Sequence, residues 1–297
     1  MQRTRIDRRE FIKLAGLGGA VVVAGCAGMR GAASASSADD FHFVQLSDTH
    51  WGFDDPRINP DTTGTLPKAV AAVNSLRQPP DFVMFTGDLT HTTDDPAERR
   101  RRLAQFRDIA ATLKVPTVHY MPGEHDAALD NGRAFKEFFG DTHYAFDHKG
   151  VHFIVVDNVS DPTAAIGAEQ LEWLRKDLDG QPKDARIVVF THRPLFDLYP
   201  QWDWATRDGA QAIALLQAHA NVTVFYGHIH QENHFMTGDI AHHSAKGLMF
   251  ALPAPASQPR RLPVAWDGAA PYKGLGFREV DAGAAPVHYA IAEKPVV

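Results

Sequence analysis

The sequence has a single cysteine, Cys26, among its 297 residues, so no disulfide can form within the chain. Cysteine usage therefore gives no information about the compartment in which the protein works. The sequence also lacks an internal repeat. Its composition, with 44% hydrophobic and 22% charged residues, is that of an ordinary globular chain with one large domain or two small ones.

Positive charge is scarce outside the N-terminus. The formal net charge is −6, but residues 1–35 carry +4, which leaves −10 for the rest of the chain. Because nucleic-acid backbones are bound by basic surfaces, we expect no nucleic-acid partner. The basic run at 98–102 does not alter this expectation. The apolar stripe of the helix predicted around it places these arginines on the solvated face.

A long apolar run is missing from the N-terminus as well. The apolar stretch at 14–25 is shorter than the roughly 20 residues that span a bilayer. It follows Arg8, Arg9, Phe11 and Lys13, and together they resemble a twin-arginine export signal. We therefore expect the export machinery to deliver this protein to the periplasm or cell envelope.

Two processing sites fit the sequence that follows. Residues 23–26 (VAGC) resemble a bacterial lipobox, in which Cys26 becomes a lipid anchor, whereas residues 33–35 (ASA) resemble an ordinary cleavage site. Both alternatives remain open. We predict that residues 1–38 form the export signal and a flexible spacer. Residues 39–297 are predicted to form a single domain with a β-rich C-terminal part.

From residue 41 onward, short apolar runs alternate with helix-like stretches. The predicted strands are 41–46, 82–85, 117–121, 152–156, 186–190 and 222–226. The predicted helices are 67–77, 96–114, 167–179 and 209–220. Strands that alternate with helices indicate βαβ units and an α/β fold with a largely parallel sheet. Residues 234–253 instead favour antiparallel strands.

Carboxylate and imidazole side chains follow five of the six predicted strands. In chain order they are Asp48 and His50, then Asp88, then Glu124, His125 and Asp126, then His192, then His228 and His230. The carboxyl ends of strands are where open α/β sheets bind ligands. Asp, Glu and His without thiolates suit divalent and trivalent first-row metals. The pattern therefore predicts a metal site.

The motifs Asp-x-His, Gly-Asp, Gly-Glu-His-Asp, His and Gly-His-x-His occur in this order and resemble the calcineurin-like metallophosphoesterase family over about residues 41–230. The resemblance implies a four-layer α/β/β/α sandwich of two mixed β-sheets flanked by helices. It also implies two metal ions that share a carboxylate and a hydroxide. The implied ligands are Asp48, His50 and His230 for the first ion, Asp88 as the bridge, and Glu124, His192 and His228 for the second.

The same resemblance places His125 over the substrate and gives Asp126 the task of orienting it. Paired metal ions lower the pKa of water and clamp a transferring phosphoryl group. A His125 imidazole aimed by Asp126 is then expected to protonate the leaving group. We predict a metal-dependent phosphoric ester hydrolase acting on a small phosphate ester. Its ions are expected from Fe, Mn and Zn, an Fe(III)–M(II) pair included.

Glu124 departs from the family pattern, which has a neutral asparagine at this position. With Asp48, Asp88 and a hydroxide, two divalent ions keep one net positive charge, and Glu124 removes it. Either one ion is trivalent or the substrate is a less charged phosphodiester rather than a monoester. A third interpretation is that Glu124 weakens the second site and leaves a weakly active or non-catalytic protein that binds metal or phosphate esters.

Two further features near these motifs allow more than one interpretation. His91 follows the Gly-Asp motif and is interpreted as a group behind the ligands, a donor to phosphate or a plain loop residue. Residues 192–204 are rich in aromatic side chains, which either stack on a substrate or pack within a long loop. Arg193 in this segment is a candidate contact for a phosphate oxygen.

Overall fold

The computed structural model of the protein describes residues 40–282 and 289–296. The predicted export signal and spacer at 1–38, with Cys26, lie outside the described residues and stay a prediction. In the described ranges, no helix combines the length and the apolar character needed to cross a membrane.

Five strands form the first sheet, in the order β11-β10-β1-β2-β3. Strands β1 to β3 run parallel, whereas β10 and β11 extend the sheet in antiparallel pairing beyond β1. The strands are β1 (Phe41–Leu46), β2 (Phe82–Thr86), β3 (Val118–Met121), β10 (Gly276–Ala282) and β11 (Tyr289–Pro295). Both β1 and β2 are buried along their whole length, as expected for strands covered on two faces.

Six strands form the second sheet, in the order β4-β5-β6-β7-β9-β8. The four central strands are parallel, and an antiparallel strand closes each edge. They are β4 (Tyr144–His148), β5 (Val151–Val155), β6 (Arg186–Phe190), β7 (Asn221–Tyr226), β8 (Asn233–Thr237) and β9 (Ile240–Ser244). Both sheets are therefore mixed.

Helices cover the outer face of each sheet. On the first sheet, the buried side chains of Leu66, Phe106 and Phe135 join one apolar cluster with strand residues. On the second sheet, Leu174 and Leu216 do the same. The helices are α1 (Thr65–Asn74), α2 (Pro96–Ala110), α3 (Glu124–Ala127), α4 (Arg133–Phe139), α5 (Ala168–Asp179) and α6 (Gly209–Leu216).

A layer of phenylalanine rings fills the space between the sheets. Phe43 stacks on Phe82 of the same sheet with ring centres 5.0 Å apart. From the opposite sheet, Phe190 and Phe225 meet Phe43 edge-on at 5.8 and 5.5 Å. Offset and edge-on aromatic pairs add to the stability that burial provides. The two sheets thus pack face to face, and the predicted four-layer sandwich of two mixed sheets flanked by helices is confirmed.

The predicted strands and helices between residues 41 and 226 are present, with ends displaced by a few residues. The prediction for 234–253 is right only for the β8–β9 hairpin, and even there β9 joins the sheet parallel to β7. Residues 245–253 leave the sheet and form no strand. Strands β4, β10 and β11 were not predicted, since their burial depends on neighbours far along the chain.

The basic run on α2 is not wholly solvated, so that prediction is wrong for Arg99. Arg99 is 6% exposed and pairs with Asp130 at 3.0 Å, an acid outside its own helix. The other three arginines also face carboxylates, Arg100 at Glu137 and both Arg101 and Arg102 at Glu98. These ion pairs partly neutralise the positive charge of the run.

Candidate metal centre

The predicted ligands meet where the carboxyl ends of the two sheets come together. Those after β1, β2 and β3 belong to the first sheet, and those after β6 and β7 belong to the second. The sequence placed each cluster at a strand end but did not assign the clusters to two different sheets. Face-to-face packing of the sheets is what brings the two halves within reach of each other.

Asp48, His50 and His230 form the first group of candidate ligands. His230 Nε2 lies 3.2 Å from Asp48 Oδ1 and 3.2 Å from His50 Nε2. All three side chains are buried, and one ligand atom from each lies within 4.8 Å of the others. This arrangement is compact enough for a single cation.

The hydrogen bonds behind this group fix which nitrogen faces the site. His230 Nδ1 is 2.6 Å from the carbonyl oxygen of Phe250, which can only accept, so Nδ1 carries the proton. The Nε2 lone pair is therefore directed at Asp48 and His50. A carbonyl partner of this kind orients a metal-binding imidazole in many proteins.

Glu124, His192 and His228 form the second group. Glu124 Oε2 lies 2.9 Å from His192 Nε2, and Glu124 Oε1 lies 2.9 Å from His228 Nδ1. Thr86 accepts a hydrogen bond from His192 Nδ1 at 2.7 Å, so the His192 Nε2 lone pair faces the site. The three residues again place their ligand atoms within 4.8 Å of one another.

The second group also fits a cation by its unsatisfied polar atoms. Glu124 Oε2, His192 Nε2 and His228 Nδ1 are buried, and none has a hydrogen bond of acceptable geometry within the described part of the chain. Buried polar atoms are nearly always satisfied in folded proteins. Three such atoms that converge on one point indicate that a positively charged ion completes the site.

Asp88 lies between the two groups. Its Oδ2 is 3.5 Å from His50 Nε2 and 3.4 Å from His192 Nε2, so it reaches one imidazole of each group. The other oxygen, Oδ1, accepts a hydrogen bond from the backbone N–H of His125 at 2.9 Å. Asp88 therefore has the position that a carboxylate shared by two cations requires.

Neighbouring imidazoles favour the ionised form of Glu124 and Asp48. Burial disfavours the charge of Glu124, but the nearby His228 and His192 outweigh burial and hold the pKa of Glu124 well below its ordinary value. For Asp48, His230 and His192 likewise outweigh burial and lower the pKa. Buried anions of this kind need a compensating positive charge.

Five of the candidate ligands adopt a left-handed backbone. Their φ angles are 53° at Asp48, 40° at His50, 49° at Asp88, 65° at His228 and 52° at His230. A residue with a side chain is held there at a cost on the order of 1–3 kcal/mol, and such strain clusters at functional sites. Five such positions among the candidate ligands therefore support their assignment to a functional site.

The structure separates His125 from Asp126, which corrects the prediction that Asp126 aims the imidazole. Both residues lie on the single turn α3, where successive side chains point about 100° apart. Asp126 is 1% exposed and accepts hydrogen bonds from Leu89 N at 2.9 Å, Thr90 N at 2.8 Å, Thr90 Oγ1 at 2.9 Å and Gly123 N at 3.0 Å. It fixes the loops that carry Asp88 and Glu124. Burial, with the Asp88 charge, raises the pKa of Asp126 to about 6.

Thr92 has the role that Asp126 was expected to have. The Thr92 N–H donates to His125 Nδ1 at 3.1 Å, so Nδ1 is an acceptor and the proton of the neutral ring is on Nε2. His125 Nε2 points into the site, 4.0 Å from Asp88 Oδ2. The imidazole therefore presents an N–H donor to the site. Nothing in the local sequence pattern marks Thr92, because the contact joins two separate loops.

Asn158 is another residue that the sequence did not indicate. Its Oδ1 accepts from the backbone N–H groups of His192 and Arg193 at 3.2 and 3.3 Å, and thereby orients the loop after β6. The available signal is its place two residues beyond the fourth predicted strand, 152–156, the one predicted strand that no metal-binding motif follows. His91 lies behind the ligands, with Nδ1 3.4 Å from His50 Nδ1.

A cavity of about 170 Å³ opens onto the site. It is lined by His50, Asp88, Glu124, His125, His228, His230, Phe250, Leu252, Arg261 and Pro263. The aromatic side chains of the 192–204 segment do not line it. Phe196, Trp202 and Trp204 are buried in an apolar cluster with Tyr226. Arg193 is also buried, and its guanidinium bonds Asp203 and the carbonyl of Ala205, so it is not available to phosphate.

The two-sheet α/β sandwich places carboxylates and imidazoles that could hold metal ions at its carboxyl edge. The chain belongs to the calcineurin-like phosphoesterase family, whose family model matches residues 41–232. This is a family of metal-dependent phosphoric ester hydrolases, so the predicted enzyme class is confirmed.

Three curated relatives illustrate the activities of similar proteins. A probable glycerophosphodiester phosphodiesterase of Arcobacter nitrofigilis is 29% identical over 51% of this chain and 56% of its own length. A probable cyclic nucleotide phosphodiesterase of Rhodopseudomonas palustris is 27% identical over 69% and 77%. The serine/threonine-protein phosphatase CPPED1 of Mus musculus is 27% identical over 64% and 70%. The match therefore spans little more than half of the first relative.

Solved structures share the fold at low sequence identity. A dimetal phosphatase from Danio rerio is 17% identical with a TM-score of 0.54, over 85% of this chain and 98% of that one. A purple acid phosphatase from yellow lupin is 17% identical with a TM-score of 0.57, over 84% of this chain and 50% of that one. These likenesses concern the arrangement of sheets and helices.

Gly123 tests whether close packing sets the site geometry. A Cβ atom at Gly123 would lie 2.1 Å from Asp88 Oδ1 and 2.2 Å from Asp88 N. We expect Gly123→Ala to displace Asp88, reduce bound metal and lower the free energy of unfolding by about 1–3 kcal/mol. Gly268→Ala is the matched control, because a Cβ there meets nothing within 4 Å. Elemental analysis and urea unfolding of both variants measure the effect. Equal metal content and stability would contradict the packing argument.

Proposed function

We propose that this chain is an exported dinuclear metallophosphoesterase that hydrolyses small phosphodiesters. The observation that carries the proposal is the convergence of seven predicted side chains in two buried groups joined by Asp88. Three of the inward-facing atoms, on Glu124, His192 and His228, lack hydrogen-bond partners among the described residues. In this proposal Asp48, His50 and His230 hold one ion, and Glu124, His192 and His228 hold the other.

The protein residues would position and protonate the substrate. Bound metal ions supply a nucleophilic hydroxide near neutral pH and neutralise charge on the phosphoryl group. His125 Nε2–H, oriented by Thr92, donates to the ester oxygen that leaves. The buried Asp126 keeps the two ligand loops in register, which makes it a positioning residue and not a proton donor.

Glu124 favours a diester over a monoester in this scheme. The Glu124 carboxylate lies 2.9 Å from the imidazoles of both His192 and His228. It would therefore place its negative charge directly beside the ion that these residues hold. With two divalent ions the filled centre then carries no net positive charge, and a dianionic monoester loses more attraction than a monoanionic diester. Two of the three relatives described above are named as phosphodiesterases.

Substitution of His192 distinguishes an enzyme from a protein that only binds metal or phosphate esters. His192→Ala removes a buried ligand and should lower bound metal, with at least about a 100-fold loss of turnover. Bis(p-nitrophenyl) phosphate and p-nitrophenyl phosphate are the substrates, assayed with Mn, Fe and Zn. His234→Ala is the control, since the His234 side chain is 47% exposed and does not line the cavity. Absence of hydrolysis by the wild type with every metal would favour the binding protein.

Removal of the Glu124 charge should change the preference between monoester and diester substrates. Glu124→Asn removes the charge and should raise the monoester-to-diester ratio of kcat/KM by at least about tenfold. Glu124→Gln is the matched variant, because it removes the charge and keeps the length of the side chain. Elemental analysis must accompany the kinetics. An unchanged ratio in both variants, at equal metal content, would refute the charge argument and with it the reason for preferring a diester.

Export is the part of the proposal that rests on sequence alone. The Arg8, Arg9, Phe11 and Lys13 pattern is its only support. Arg8→Lys with Arg9→Lys should leave the precursor in the cytoplasm, as measured by cell fractionation and immunoblotting. Cys26→Ala, with the arginines intact, should release the protein from membranes only if Cys26 is lipidated. Unimpaired export of the double variant would contradict a twin-arginine route.

A further inference from the structure

Arg261 is the one arginine that lines the cavity above the candidate metal centre within the described residues. It lies on the segment after β9 and is partly buried, while its neighbour Arg260 is exposed. Its guanidinium Nη1 is 3.3 Å from His228 Nε2. The cavity of about 170 Å³ also exposes Glu124 and His125, so Arg261 faces the same small space as the predicted ligands.

Arg261 differs from the buried arginines of this protein in its partners. Arg99 pairs with Asp130, Arg193 with Asp203, and Arg278 with Glu293. Arg261 makes no ion pair within residues 40–282 and 289–296, and its side chain has only the contact to His228. A guanidinium is always charged and carries five N–H donors, so its remaining donors are available to a ligand.

The contact to His228 does not satisfy the guanidinium. His228 Nδ1 faces Glu124, and His228 Nε2 lies 3.3 Å from the carbonyl oxygen of Asp203, which can only accept. The proton of His228 is therefore on Nε2 when Nδ1 binds a metal ion. A protonated Nε2 cannot accept a hydrogen bond from Arg261, so the guanidinium keeps its N–H donors for an acceptor that enters the cavity.

The backbone near Arg261 is tied to the metal-binding loop. Val264 N donates to the carbonyl of Ala251 at 2.9 Å. Gln231, the residue after the candidate ligand His230, donates through Nε2 to the carbonyl of Leu252 at 3.0 Å. The first bond joins the two ends of the 251–264 segment, and the second attaches its start to the loop that carries His230, so the backbone that carries Arg261 lies beside the site.

We propose that Arg261 binds a non-bridging oxygen of the substrate phosphate and so attracts an anionic substrate from the cavity wall. This inference rests on the proposed function of the site. Glu124 still lowers the charge of the metal centre itself, and the guanidinium adds one separate positive charge in the same cavity. One such charge matches the single negative charge of a phosphodiester, so the preference for a diester over a dianionic monoester is kept. Arg261 is then a residue that determines affinity for anionic substrates.

The test compares Arg261→Gln with Arg260→Gln, which removes the same charge from the adjacent exposed position. Each metal-loaded protein is titrated with inorganic phosphate in a calorimeter, and KM and kcat are measured with bis(p-nitrophenyl) phosphate. Loss of a charge-assisted hydrogen bond should weaken phosphate binding and raise KM by about 10- to 100-fold in Arg261→Gln. Arg260→Gln should stay within about twofold of the wild type. Arg261→Lys should have intermediate phosphate affinity, since lysine keeps the charge but lacks the planar guanidinium that can form two parallel hydrogen bonds.

The outcomes separate this inference from the proposed function. Equal phosphate affinity in Arg261→Gln and Arg260→Gln would overturn the role of Arg261, even if the wild type hydrolyses the diester. A wild type that holds metal but fails to bind phosphate would overturn it as well. If the wild type binds phosphate through Arg261 and hydrolyses no ester, the proposed function fails and the anion site stands. Metal content equal to that of the wild type shows that each variant retains the centre.

Discussion

The Asp88 carboxylate is the interaction on which the site depends. One oxygen reaches His50 from the first sheet and His192 from the second, at 3.5 and 3.4 Å, while the other is held by the His125 backbone. This contact is possible only if the two sheets are separated by the right distance. The phenylalanine layer around Phe43 sets that distance, because Phe190 and Phe225 of the second sheet meet Phe43 at ring-centre separations of 5.8 and 5.5 Å. Core packing and metal chemistry are therefore linked in one structure.

Backbone strain and lost hydration at and near Asp88 lower the stability of the folded chain. Asp48 and Asp88 adopt left-handed φ angles, and Glu124 loses hydration on burial. Each term alone destabilises the folded chain, and such terms persist where the surrounding structure fixes them. A bound cation would return free energy to the folded state, since metal binding that requires the folded site stabilises it. Stability and metal loading should therefore change together in variants of this centre.

Charge balance distinguishes this chain from the pattern it resembles. Glu124 brings a negative charge to a position where the family has a neutral amide, and Arg261 brings a positive one to the wall of the same cavity. The two are far apart in sequence. Neither residue is informative alone, because an added carboxylate indicates a weakened site and a lone arginine indicates a solvated side chain. Their shared cavity gives both a consistent explanation: Glu124 lowers the charge of the metal centre, and Arg261 provides a separate contact for a singly charged phosphodiester.

Much of the fold and the ligand set could be predicted from sequence, because alternating runs report strands and helices locally, and a strand end limits where the next side chains can lie. The position of Asp48 after β1 or His228 after β7 is a local property of the chain. By contrast, the sequence could not show that Asp126 holds backbone amides, that Thr92 orients His125, or that Arg99 is buried. Those outcomes depend on contacts between segments distant along the chain. The sequence by itself determined which chemical groups are present and at which strand ends. Only the tertiary structure decided which of them share a cation, an anion or a hydrogen bond, because hydrogen bonds and metal ligation act over a few ångströms and sequence separation does not measure that distance.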